Sequence, residues 1–124
     1  MGWPPKVGEL LPRAEEATGV REKLASYSLN TDHHSGGPKA RGFAVILGIT
    51  MDSINYLEAE MRLAITRYPI TAAVDNQPYG WKCVVDFPLE GIGRYSGRVA
   101  KVRTVWELTS PILPPRLVNA FLKV

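Results

Sequence analysis

Ile54, Leu57, Met61, Ala64, Ile65 and Tyr68 recur at three- and four-residue spacing, so one face of a helix would carry them all. Thr50 is placed to cap its start. Pro69 ends it, because proline lacks the N–H that the next turn would need. Two weaker stripes come earlier. Val20, Leu24 and Tyr27 share a face within a helical stretch over 13–27 that Thr18-Gly19 interrupts. Ala40, Phe43, Ala44 and Leu47 define another helix, with Asp32 or Ser35 to cap it, Pro38 at its first position and Gly48 to end it in a left-handed conformation.

After Pro69 the period falls from near four to two. "ITAAVD" (70–75) and "GWKCVVDFPL" (80–89) flank an Asn-Gln-Pro-Tyr connection and predict a hairpin. In the second strand Trp81, Cys83, Val85 and Phe87 alternate with Lys82, Val84 and Asp86, so one face is apolar. "GIGRYSG" is turn material, "RVAKVRTVWEL" (98–108) a long β-branched strand, "TSPILPP" a break and "RLVNAFLKV" (116–124) a last strand.

Three helical segments followed by four strands with short connections predict an α+β domain, with N-terminal helices packed on one face of a four-stranded antiparallel meander. The opposite face is left open. Residues 1–12, rich in Pro and Gly, read as an N-terminal extension that wraps the surface or frays, and 13–124 as a single domain.

Charge sharpens this picture. Residues 1–90 hold nine Lys/Arg against eleven Asp/Glu, a net of −2; residues 91–124 hold six against one, a net of +5. A basic C-terminal third suits a polyanion, an acidic protein partner, or solvent alone. No apolar run approaches the roughly 20 residues of a membrane span. The first residues lack the apolar core of a secretory signal, and Glu9, Glu15 and Glu16 argue against a transit peptide, so a cytoplasmic protein with no membrane contact is expected. Edge strands permit a dimer without predicting one.

The candidate chemistry lies in "LNTDHHSGGPKARGF" (29–43), which contains both histidines and Lys39. Metal binding has no ligand spacing to support it, and no nucleotide-cofactor motif occurs, so neither metal nor cofactor is expected. Cys83 alternates with apolar neighbours and reads as core. Acid–base and electrostatic chemistry remains. A histidine could move a proton, while Lys39 and Arg103 could hold a phosphate whose charge is building. Against that stands an ordinary reading, in which His33 and His34 are solvated loop residues bonding the turn. In "KVRTVWEL", Lys101, Arg103, Val105 and Glu107 point one way and Val102, Thr104, Trp106 and Leu108 the other. Only one set can look onto the open face. Exposed, Trp106 and Thr104 could stack on and bond a base; buried, Trp106 is core, the preferred reading for that residue.

The order of Lys23, Leu24, Tyr27, Leu29, Asn30, His33, Gly36, Lys39, Ala40, Phe43, Leu47 and Gly48 resembles a small bacterial domain family of unassigned function. The match continues through Tyr79-Gly80, Lys82, Val102, Thr104-Val105-Trp106, Pro115-Arg116-Leu117-Val118 and Ala120, over roughly residues 11–122. Its members look like toxin components, alone beside a small partner gene or at the ends of larger polymorphic toxins. The element order is also similar to the ribonuclease fold shared by barnase, EndoU and RelE-type toxins, an analogy of fold. The resemblance implies a toxin-like, metal-independent endoribonuclease acting on RNA, with His33, Lys39, Arg103 and Thr104 catalytic. His34, Trp106, Arg116 and Lys101 are the substrate-binding candidates, and a small acidic antitoxin or immunity protein is the implied partner. Two positions depart from the pattern: His34 stands where proline is expected, and Asn119 where threonine is expected. The alternatives are a non-enzymatic domain that binds an acidic protein or nucleic acid through its basic strands, and an antitoxin or immunity protein itself.

Overall fold

The computed structural model describes residues 3–123. Helices α1 (Val20–Lys23), α2 (Gly37–Leu47) and α3 (Ile54–Ala64) precede strands β1 (Ile70–Asp75), β2 (Trp81–Glu90), β3 (Val99–Leu108) and β4 (Arg116–Lys123). The strands form one antiparallel sheet in the order β1-β2-β3-β4, each paired with its chain neighbour. The domain is α+β with a four-stranded meander, as the change of period predicts; Val124, the end of the predicted last strand, lies outside the described residues, as do Met1 and Gly2 of the extension.

Local sequence explains most boundaries. Gly19 sits at φ 73°, which breaks the helical stretch over 13–27 into a short 3-10 turn at Ala14–Glu16 and α1. α1 then runs into a wider π-type turn, Leu24–Ser28, closed by the Leu29 N–H on the Leu24 carbonyl at 2.9 Å. Gly48, at φ 70°, stops α2 as predicted. Ser53 Oγ accepts the Thr50 N–H at 2.9 Å and starts the turn that leads into α3.

One face of the sheet carries the core. Phe43, Leu47, Leu57, Met61 and Ile65 from the helical half bury against Cys83, Val85, Val102, Trp106 and Leu117 from the strands. On β3, Val102, Thr104, Trp106 and Leu108 point inward, so Lys101, Arg103, Val105 and Glu107 line the open face. The N-terminal segment is tied down rather than frayed: the Gly8 N–H bonds Ile70, Ile70 in turn bonds the Glu9 carbonyl, and Leu11 is buried in the core.

One irregularity decides what the last strand presents. Val105 lies opposite Asn119 and Trp106 opposite Leu117, which leaves Val118 unmatched in a bulge. Strict alternation from Leu117 would turn Asn119 inward. The bulge shifts the phase, so Ala120 is buried while Asn119 and Phe121 share the open face with their cross-strand partners Val105 and Arg103.

Candidate functional site

The loop ahead of α2 is folded around His33. Its Nδ1 accepts the N–H groups of Ser35 at 3.0 Å and Gly36 at 2.9 Å, while its carbonyl takes the Gly37 N–H at 2.8 Å. The imidazole therefore ties together the loop just ahead of the helix, and neither Asp32 nor Ser35 caps α2: the capping position is Gly36, with no side-chain bond. Because Nδ1 receives two amide hydrogens, the proton of the neutral ring sits on Nε2. The imidazole rests edge-on against the Tyr27 ring, centroids 4.8 Å apart. Glycine makes this approach possible: a Cβ on Gly36 would stand 2.3 Å from the Tyr27 carbonyl oxygen.

Tyr27 leads to Lys39, in the first turn of α2. Lys39 Nζ donates to Tyr27 Oη at 2.7 Å and to Asn119 Oδ1 at 3.2 Å. It also lies 4.7 Å from the Tyr27 ring centroid and 5.1 Å from that of Phe121, within cation–π range of both. The side chain thus reaches past the β4 edge to residues of the open face. Among the described residues, Lys39 takes part in no ion pair. Neutral oxygens and aromatic rings hold a half-buried ammonium whose charge no carboxylate of the described residues cancels.

Every acceptor that this cluster brings together is already engaged. His33 Nδ1 serves two amides, and Tyr27 Oη and Asn119 Oδ1 both serve Lys39. Four kinds of donor are still unused: the tyrosine O–H, the third ammonium hydrogen, the Asn119 amide NH₂ and the His33 Nε2–H. A set of donors beside an uncompensated cation is chemically suited to an anion.

The other sequence-predicted residues are placed differently. Arg103 is on the open face, cross-strand from Phe121, but its guanidinium is turned onto Asp86, which accepts from Nε and Nη2 at 2.9 Å each. This carboxylate holds the arginine pKa above its ordinary value. Arg116 is likewise paired, with Glu107 at 2.8 Å. Lys101 and His34 are exposed. Thr104, named as catalytic, is fully buried under the helices instead, and Trp106, a substrate-binding candidate whose preferred reading was core, is core. Thr104 donates to the Val85 carbonyl at 2.6 Å and accepts the Trp106 indole N–H at 2.7 Å, so the pair satisfies itself inside the core. For His33, accepting a proton conflicts with the geometry, since its basic nitrogen is occupied by amides.

Three residues of the cluster were given no site role by the sequence reading. Tyr27 was visible in an apolar stripe and in the family pattern, and Asn119 only as a departure from that pattern. Phe121 had no signal beyond its alternation, which the bulge overrides. Among the described residues no group of three or more His, Cys, Asp or Glu side chains is placed to hold a metal, and no helix is long and apolar enough to cross a membrane.

Residues 10–124 match a family model described as a domain of unknown function, DUF6883. No curated protein and no solved structure matches the chain.

Proposed function

The chain belongs to the DUF6883 family, and from its site we propose that it is a toxin-like, metal-independent endoribonuclease that cleaves RNA at the Lys39 cluster. The observation that carries this reading is the unpaired, half-buried Lys39 ammonium between Tyr27 and Asn119. In this scheme Lys39, the Asn119 amide and the His33 Nε2–H hold the non-bridging oxygens of the scissile phosphate. The ribose 2′-oxygen attacks phosphorus and loses its proton to solvent. The bond from phosphorus to the 5′-oxygen breaks, and Tyr27 gives its hydroxyl proton to that oxygen. The resulting phenolate is stabilised by the ammonium 2.7 Å away. The products are a 2′,3′-cyclic phosphate and a 5′-hydroxyl. The order of helices and meander strands supports the reading by analogy with the barnase, EndoU and RelE-type ribonucleases. A small acidic antitoxin or immunity protein is the partner in this proposal, drawn by the excess of cations in residues 91–124.

The test is cleavage of a short fluorescent RNA in excess EDTA, together with growth on induced expression. Wild-type protein yields cyclic-phosphate ends and arrests growth. Lys39→Ala and Tyr27→Phe each slow cleavage by roughly 100-fold or more, the scale of a lost electrostatic or proton-transfer group. RNA left intact by micromolar wild type, or cut by both variants as fast as by wild type, ends the proposal.

A second reading rests on a different observation. Lys82, Lys101 and Lys123 are exposed and, among the described residues, form no ion pairs. A binding domain using that surface would hold an acidic protein or nucleic acid, weaken steeply with salt and leave no cleavage products.

A further inference from the structure

Beside the Lys39 cluster lies a hollow of about 230 Å³, lined by Pro38, Lys39, Gly42 and Ile46 of α2 and by Phe121 and Leu122 of β4. Lys39, Gly42 and Ile46 follow three- and four-residue spacing, so they form one stripe of α2 facing the strand edge. Its exposed lining is mostly apolar, with the ammonium at one side. The volume is below the roughly 300–1,000 Å³ of a site for a drug-sized molecule, which suits a single ring system.

Gly42 is the informative wall. It stands in the interior of α2, where glycine costs about 0.5–1 kcal/mol relative to alanine. Its φ is not positive, and a Cβ built on it would meet nothing within 4 Å. Gly36 and Gly37 are different: a Cβ on either would come within 3 Å of backbone. Packing and backbone conformation therefore account for those two glycines and not for Gly42, which stands in the wall of the hollow.

We propose that this hollow is a nucleobase slot, taking the base of the nucleotide whose phosphate Lys39 holds; the proposal rests on the phosphate-binding reading of the cluster. The base packs against Phe121, Ile46 and the bare backbone of Gly42, while the attached phosphate meets the donors of Lys39, Tyr27 and Asn119. Charge complementarity names the occupant: an apolar slot adjoining an uncancelled cation fits a flat ring tethered to an anion, whereas an aliphatic side chain would leave the ammonium unanswered.

Calorimetric titration of the whole chain with the four ribonucleoside 3′-monophosphates, and with ribose 5-phosphate as a control lacking a base, tests this. At least one nucleotide should bind wild type roughly tenfold tighter than ribose 5-phosphate, the scale of stacking one base on an aromatic ring. Gly42→Leu should abolish that difference while leaving ribose 5-phosphate affinity unchanged. Gly42→Ala should raise the melting temperature yet narrow the difference, a combination that a purely structural glycine cannot produce. Nucleotides binding wild type no tighter than ribose 5-phosphate, or as well to Gly42→Leu as to wild type, would overturn the slot and leave the phosphate site standing. Failure of wild type to bind any of the five compounds would overturn both.

Discussion

Lys39 Nζ and Asn119 Oδ1 meet at 3.2 Å although eighty positions separate them in the chain. The contact joins the first turn of α2 to the last strand, and with Tyr27 it gives the ammonium a fixed position on the sheet edge. In the proposed function this junction is also where a phosphate is held. Asn119→Leu should remove one holding bond, lower stability by about 0.5–1.5 kcal/mol in urea unfolding and weaken phosphate binding. Asn119→Thr, which keeps an oxygen at that position, should recover most of both. Equal behaviour of the two variants would show that the oxygen does not position Lys39.

Two glycines of the α2 region should respond to alanine with opposite signs. Gly36→Ala drives a Cβ into the Tyr27 carbonyl and should destabilise by about 1–3 kcal/mol, the usual cost of overpacking. Gly42→Ala meets open space and should stabilise by about 0.5–1 kcal/mol. Chemical denaturation of both variants reads the difference directly.

Thr104 is a structural residue whose loss leaves the Trp106 indole N–H buried without an acceptor. Thr104→Val should cost about 1–3 kcal/mol. Adding Trp106→Phe should cost less than the sum of the single changes, because the orphaned donor is then gone. Strict additivity in a double-mutant cycle would contradict the bond.

Arg103 is held by Asp86 in a partly exposed two-point pair, so its guanidinium is engaged before any substrate arrives. Arg103→Gln should lower RNA cleavage by less than about tenfold, well short of the loss for Lys39→Ala. A loss as large as that of Lys39→Ala would restore Arg103 as a phosphate contact.

Burial pushes the Cys83 thiol up to about 11, from 9.0. The folded chain therefore keeps its proton where the unfolded chain has lost it. Stability from this group is complete below pH 9 and falls between about 9 and 11, with a slope of at most about 1.4 kcal/mol per pH unit. Cys83→Ala should flatten that part of the stability–pH profile. In the native wild type the thiol should resist thiol-specific reagents until denaturant is added.

The amino-acid sequence by itself determined the helices, the strands, their order and their antiparallel pairing. These follow from interactions between residues near one another in the chain: the spacing that puts Leu57 and Met61 on one face, the left-handed freedom of Gly48, the two-residue alternation through Cys83 and Val85. It also singled out Lys39 and the histidine loop as candidate chemistry. Which side of β3 looks outward was a matter of preference only, with Trp106 favoured as core, because Arg103 and Trp106 belong to equally regular alternating sets; the packing of the helices over Trp106 decides it. The company of Lys39 was likewise a matter for tertiary structure. A one-residue bulge at Val118 reverses the facing of Asn119 and Phe121, and the close approach at Gly36 brings Tyr27 to the same place. Neither has a local pattern, since each exists only once distant segments lie side by side and the phase of one is set by its pairing with the other.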